Sequence, residues 1–264
     1  GEYGRFGPDA ACLRVDGDFT SMMVGGVSSL LLQMLHPAAL AGVWDHSNFR
    51  RDMSGRLRRT AEFIAGTTYG PTEEAERLIA RVKTIHDRVH GETLDGRPYC
   101  ANDPDLLTWI HVAEVHSFLA AYLRHRDPDF PEAEQDRYFA ETATIAYRLG
   151  ATTVPETRAD IAAYLQAMRP QLRADYRTRE VARALLSQRP ANLAMAPALA
   201  LIFQSAKDLL PQWAADMHGF HTPERRKSAA RLGTDTVGTV LRWALRNGAE
   251  TRARRRAALS RSPR

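Results

Sequence analysis

The chain has 264 residues, of which 44% are hydrophobic and 25% charged, a composition that indicates a folded globular protein and excludes a disordered one. The formal net charge is +5, but residues 242–264 contain eight arginines and one glutamate, so this segment carries +7 and residues 1–241 carry −2. The body of the protein therefore lacks the basic surface that nucleic-acid binding needs, and residues 247–264 are predicted to form a solvated basic tail.

The first predicted element is a long uncharged segment. No residue between Asp18 and Asp45 is charged, and its centre reads MMVGGVSSLLLQMLHPAAL. The length permits a membrane span, but the polar residues and Pro37 interrupt the run, and no other segment is predicted to span a membrane. We expect one or two helices buried inside a large domain, without stable membrane insertion.

Capping signals predict the helices that follow. Ser54 is expected to cap a helix to about Phe63, and Thr72 is expected to cap a helix over 73–90 that ends before Gly91. Asp103-Pro104 opens a helix to about Arg124. Further helices are predicted at 132–149 (ended by Gly150), 156–168, 174–187, 191–210 and 223–246. No segment has a strand pattern, so we predict an all-α fold with one domain over 1–246 and a weak seam at 188–200.

One histidine interrupts the apolar stripe of the 73–90 helix. His86 lies four residues after Val82 and three before Val89, so it is predicted to point inward. It is either a neutral core histidine whose nitrogens are satisfied by protein groups, or a metal ligand. A single inward histidine suits haem better than zinc, and the absence of any Glu-x-x-His excludes the di-iron carboxylate pattern. His90, four residues on, is expected at the edge of the same stripe.

Arg56, Arg59 and Thr60 are predicted to share one helix. Spacings of three and four residues put them on neighbouring positions of its surface. They form either a solvated basic turn or a face that pairs a guanidinium with the carboxylates of a tetrapyrrole.

Three more histidines have candidate roles. His111 is predicted to point inward from the helix that starts at Pro104, either as a core residue or near a bound group, and less readily as a ligand. His36 and His46 flank the Pro37 turn and either reach a pocket or cap helix ends. A serine hydrolase is excluded because the chain has no Gly-x-Ser-x-Gly elbow and no strand to carry one.

Taken in order, these motifs resemble a known family, the rubber oxygenases (latex clearing proteins) and MpaB-type oxygenases. The similarity covers roughly residues 20–170. The matching motifs are LHPAALAGVWDHSNFRRD, Arg56-x-x-Arg59-Thr60, His86-x-x-Val89-x-Gly91, Gly96-x-Pro98-Tyr99-x-Ala101-x-Asp103-Pro104, Leu106-Leu107-x-Trp109-x-His111, Gly150 and Pro155.

The resemblance implies a globin-like helical core around one haem b (iron protoporphyrin IX). The family's proximal iron ligand falls on His86, with His90 as the second choice, and its haem-adjacent arginine and threonine fall on Arg56 and Thr60. Latex clearing proteins have a lysine able to ligate iron where this chain has Arg59. A guanidinium has no lone pair to donate, so that closed state is not expected here.

We therefore expect a cytoplasmic, haem-dependent oxygenase that activates O₂ on a hydrophobic, alkene-containing small molecule. Arg59 and Thr60 are the expected catalytic residues, His86 is the metal ligand, and Arg56, Thr60, His90 and His111 complete the haem contacts. The uncharged segment 19–44 is expected to line the substrate channel. The alternatives are a non-catalytic haem sensor or carrier, and a helical protein without a cofactor that holds an acidic partner with its basic tail.

Overall fold

The structure, a computed structural model, describes residues 4–190, 192–221, 228, 231–236 and 238. Helices dominate it, which confirms the predicted all-α fold. The predicted tail and most of the predicted helix 223–246 lie outside the described residues, although 231–236 are helical. The α-helices are α1 (Ala11–Val15), α2 (Phe19–Gln33), α3 (Pro37–His46), α4 (Phe49–Tyr69), α5 (Thr72–His86), α6 (Pro104–His125), α7 (Glu132–Leu149), α8 (Arg158–Met168), α9 (Tyr176–Leu186), α10 (Ala196–Leu209) and α11 (Gln212–His218).

The uncharged segment forms two helices. Asp18 caps α2 by accepting a hydrogen bond from the Ser21 amide at 3.0 Å. After α2 the chain bends by 103°, and α3 begins at Pro37, where the His36 ring accepts from the Ala38 amide at 3.2 Å. Most of α2 packs against α6 and α10, so the expectation that segment 19–44 lines a channel is not supported for the bulk of this helix.

The centre of the fold is the contact between α2 and α6, the most extensive helix pair in the described residues. Gly25 of α2 lies against the Phe118 backbone of α6, where a Cβ would come within 2.9 Å of the Phe118 Cα. The fully buried Trp109 of α6 donates its indole N–H to the Gln33 carbonyl at 3.3 Å. One hydrophobic core includes residues on both sides of the predicted seam at 188–200.

One helix, α6, is long and apolar enough to cross a membrane by its length and composition, although 67% of the relevant stretch is buried inside the protein. The pairs α2–α3 and Leu193–Leu209 with Gln212–His218 pass the same test jointly, but each is bent by more than 100°. The expectation that no second segment has the composition of a span is therefore wrong. Helix α6 meets that criterion, and it was missed because its polar residues are spread evenly along it.

Helices α4 and α5 form an antiparallel hairpin that turns at Gly70 and Pro71.

The helix caps predicted at the starts of α4 and α5 are both wrong. Asp52, whose backbone is non-helical, accepts from the Gly55 amide at 2.8 Å, whereas the Ser54 hydroxyl donates to Gln188. Thr72 is the first residue of α5 and not its cap. Helix α4 also continues to Tyr69, beyond the predicted end at Phe63.

A close contact sets the distance between these two helices. A Cβ on Gly66 of α4 would clash with Leu78 Cδ1 of α5, so the glycine leaves room for this Leu78 rotamer between the two helices. Thr60 lies six residues before Gly66, and His86 lies eight residues after Leu78. At about 1.5 Å per residue these steps are about 9 and 12 Å along the two antiparallel axes. Arg56 and Thr60 are therefore carried toward the end of the hairpin where His86 lies.

The prediction of no strands is wrong at one place. Residues His90–Glu92 (β1) and Pro98–Cys100 (β2) form a two-stranded antiparallel hairpin between α5 and α6. Gly96, with φ of 77°, makes the turn between them. Because α5 ends at His86, the predicted helix over 73–90 is four residues too long. The Ala101 amide, donating to the Val89 carbonyl at 2.8 Å, ties the hairpin back to the end of α5.

Candidate functional site

His86 is the last residue of α5 and continues its inward stripe through Ala75 and Ile79, both buried. The side chain is half-buried. Its Nδ1 atom is fully buried and has no hydrogen-bond partner. Its Nε2 atom does not share this complete burial without a partner, and no hydrogen bond from the described residues engages it. Burial lowers the pKa of His86, against smaller opposing effects of Asn102 and Asp87. The ring is therefore neutral at neutral pH, which is the form that binds metals.

Arg56 places a guanidinium near the same end of the α4–α5 hairpin. The side chain is half-buried, and its Nη1 donates to the Ser47 hydroxyl at 3.4 Å. Within the described residues it has no carboxylate partner, and burial, followed by the nearby Arg59, lowers its pKa. A desolvated cation without an anionic partner is able to bind an anionic group of a ligand.

Arg59 and Thr60 differ from Arg56 in their exposure. Both side chains are exposed. Arg59 pairs with Asp52 at 3.4 Å, and the Thr60 hydroxyl donates to the Arg56 carbonyl of its own helix at 3.2 Å. Both lie near Arg56 on α4, as predicted, and each bonds to a group of that same helix.

His90 does not lie one helical turn beyond His86, because α5 has already ended. It is an exposed residue of β1, and its carbonyl, not its ring, contacts the Nε2 of His46 at 3.1 Å. His46 thus fastens α3 to the hairpin, and His36 caps α3. Of the two roles left open for His36 and His46, the structure shows the helix-end and packing role.

His111 and Glu114 lie one turn apart on α6 and are both enclosed by protein. Burial lowers the pKa of His111 to about 4 and raises the pKa of Glu114 to about 8, the latter with a smaller effect of Asp16. The Nε2 atom of His111 is buried and has no hydrogen-bond partner. Both residues nevertheless keep some accessible surface.

Two polar residues near these positions carried no sequence signal. His116 is also half-buried, and burial lowers its pKa to about 4. It lies two residues after Glu114 and shares no helical spacing with the other histidines, so periodicity did not point to it. Asn102 comes near His86 only because the β1–β2 hairpin folds back onto α5. Such a long-range approach follows from the tertiary fold and not from spacing.

Protein side chains alone provide no metal centre in the described residues. Cys12 and Cys100 are both free. No three of the described histidine, cysteine, aspartate and glutamate side chains are grouped so as to hold a metal ion. A metal bound at His86 would need further ligands from outside these side chains.

The fold and this arrangement define an all-α domain with an inward imidazole at the end of a helical hairpin and buried polar atoms that the described residues leave unpaired. The chain belongs to the family described as ER-bound oxygenase mpaB/B'/Rubber oxygenase, catalytic domain, whose model matches residues 13–246. It is thus an oxygenase catalytic domain, an oxidoreductase that uses O₂ and a small-molecule substrate. No curated protein and no solved structure matches the chain significantly.

Proposed function

We propose that this chain is a haem b-dependent oxygenase that activates O₂ on a hydrophobic, alkene-containing small molecule, with His86 as the axial iron ligand. The observation that carries the proposal is the state of His86. It is a neutral, inward imidazole at the end of α5, and no hydrogen bond from the described residues engages its Nε2 atom. A core histidine would satisfy both nitrogens with protein groups.

Two further polar groups of the described residues suit a tetrapyrrole. Arg56 supplies a half-buried guanidinium without a carboxylate partner, which suits a propionate because Arg pairs bidentately with carboxylates. The buried, unpartnered Nε2 of His111 marks a second polar atom that the protein leaves unsatisfied. When bound, the haem would supply the oxidative chemistry, and the chain sets its orientation and surroundings.

The other groups have distinct roles in this proposal. Glu114 keeps its proton at neutral pH, because burial raises its pKa to about 8, and so holds a proton inside the domain for transfer. Thr60 and Arg59 lie on the exposed part of α4, where Thr60 contributes a hydroxyl and Arg59 a fixed positive charge. Because a guanidinium does not ligate iron, the ferric protein should lack a nitrogenous sixth ligand from position 59.

Absorption spectra of the oxidised and reduced protein test the proposal, with His86→Ala as the decisive variant and His90→Ala as its matched control. His90 is four residues away and exposed in β1, so its loss should leave haem content unchanged. We expect His86→Ala to lose the haem or its normal coordination. A full complement of normally coordinated haem in His86→Ala would end this assignment.

Oxygen consumption separates catalysis from simple haem binding. With unsaturated terpenoids or lipids as substrates, the haem-loaded protein should consume O₂, and His86→Ala should not. Stoichiometric haem without any oxygen uptake would instead point to a sensor or carrier. A colourless protein that takes up no haem would exclude both.

A further inference from the structure

Asn102 holds a fixed position at the last turn of α5. Its Nδ2 lies 3.3 Å from the Lys83 carbonyl and 2.6 Å from Asp87 Oδ1. Both of these partners only accept hydrogen bonds, so the amide nitrogen must face them and the amide oxygen must point elsewhere. The neighbouring backbone is also fixed, since the Ala101 amide donates to the Val89 carbonyl at 2.8 Å.

Two complementary polar atoms are left over at this place. Asn102 Oδ1 and His86 Nδ1 are both buried, and neither has a hydrogen-bond partner. The two side chains lie at the same turn, because Asn102 bonds Lys83 and Asp87, and these two residues bracket His86 in sequence. Asn102 Oδ1 can only accept a hydrogen bond, and His86 Nδ1 carries a proton in one of the two neutral tautomers of histidine. Each is therefore the partner that the other lacks.

We propose that Asn102 is the positioning residue of His86, and that its Oδ1 accepts a hydrogen bond from Nδ1–H of the imidazole. This bond fixes the tautomer in which Nε2 is unprotonated and available to a ligand. The consequence for iron rests on the function proposed above, whereas the tautomer itself is a property of the chain. Ligating histidines generally donate their other ring N–H to such an acceptor, which fixes the ring orientation and its basicity.

The position of Asn102 also explains why the acceptor is neutral. The carboxylate of Asp87, the residue after His86, accepts from the Asn102 amide and has no hydrogen bond with His86 in the described residues. Asn102 therefore separates the imidazole from the negative charge. A carboxylate in its place would make the ring a stronger electron donor to a bound metal.

The first experiment uses the full chain without haem. Nitrogen-15 NMR of the imidazole, assigned with His86→Ala, reports which ring nitrogen carries the proton. We expect the Nδ1–H tautomer in the wild type and a shift toward Nε2–H in Asn102→Ala. Asp87→Asn is the matched control, since an asparagine oxygen at 87 still accepts from the Asn102 amide. An Nε2–H tautomer in the wild type, or the same tautomer in Asn102→Ala, would overturn the proposal.

The second experiment uses haem-loaded protein and reads the iron–histidine stretching frequency, the midpoint potential and haem retention. Asn102→Ala should lower the stretching frequency and weaken haem binding about 10- to 100-fold. The exchange variant Asp87→Asn/Asn102→Asp keeps a hydrogen bond between the two positions but presents a carboxylate to His86, so its midpoint potential should fall below that of the wild type.

The two experiments distinguish the failure of this inference from the failure of the haem proposal. If His86→Ala loses haem while both Asn102 variants keep the wild-type frequency and affinity, the role of Asn102 is refuted and the haem assignment stands. If the wild type binds no haem but its His86 tautomer depends on Asn102, the positioning role is supported and the haem assignment fails.

Discussion

Two adjacent glycines of α2 should respond in opposite directions to the same substitution. A Cβ on Gly25 would lie 2.8 Å from Phe118 Cδ1, 2.9 Å from its Cα and 3.0 Å from the Ser117 carbonyl oxygen. Two of these atoms belong to the backbone of α6 and cannot move without separating the helices. On Gly26 the nearest atom is Phe118 Cε1 at 3.7 Å, which is ordinary contact.

The magnitudes follow from helix propensity and overpacking. Alanine is favoured over glycine in a helix by about 0.8–1.0 kcal/mol, so Gly26→Ala should stabilise the protein by about 1 kcal/mol. Overpacking costs about 1–3 kcal/mol, and the upper end applies to Gly25→Ala because backbone is involved. After the gain in propensity, this variant should lose about 2 kcal/mol.

Urea and thermal unfolding of the two variants give a direct comparison. At about 2–4 °C per kcal/mol for a domain of this size, the Tm should fall by about 4–8 °C in Gly25→Ala and rise by about 2–4 °C in Gly26→Ala. Equal effects of the two substitutions, or a stabilised Gly25→Ala, would refute the close approach of α2 and α6.

Two further predictions concern buried polar side chains. The folded protein keeps the Glu114 proton up to pH about 8, whereas the unfolded chain releases it near the ordinary pKa of 4.5. Between these two pH values the folded state binds more protons than the unfolded state, so Glu114 makes the free energy of unfolding fall as pH rises. The stability advantage of Glu114→Gln over the wild type should therefore grow with pH, to on the order of a few kcal/mol. Urea unfolding from pH 5 to 9 measures it. His218→Ala should cost about 1–3 kcal/mol, because it leaves the Leu31 carbonyl, now 2.9 Å from His218 Nε2, buried without a donor. Replacing the exposed His221 instead should leave the Tm unchanged, and an equal loss in both variants would contradict the role of that bond.

Sequence patterns predicted the helices well where capping and periodicity agree. Asp103 caps α6 as expected, accepting from the Asp105 and Leu106 amides, and Gly150, with φ of 123°, ends α7. The end of α5 was misplaced because its apolar stripe continues through Val89, although the chain has by then turned toward the β1–β2 hairpin. A three-residue strand has too few positions to show alternation, so its pairing follows from tertiary contacts alone.

The same limit applies to the candidate site. The inward position of His86 follows from helical spacing and could be predicted from the sequence. Its neighbours are not local. Asn102 reaches it through a hairpin, and Arg56 reaches the same end through the antiparallel packing that Gly66 permits. A spacing argument can thus find the histidine but not the groups that determine its chemistry.

The comparison of His86 with His218 shows what distinguishes a candidate ligand from a structural histidine. Both are pointed inward, and burial lowers the pKa of each. The ring of His218 contacts the Leu31 carbonyl at 2.9 Å and stacks on Phe220, so the protein satisfies it. No such bond engages the Nε2 atom of His86 in the described part of the chain, and Asn102, whose Oδ1 is buried, bonds Lys83 and Asp87 on either side of His86 in sequence. Buried polar atoms are rarely left unpaired in a pure core, because each costs about 1–3 kcal/mol. The pairing of His86 Nδ1 with Asn102 Oδ1 proposed above removes both of these costs and leaves Nε2 as the ring nitrogen open to a ligand.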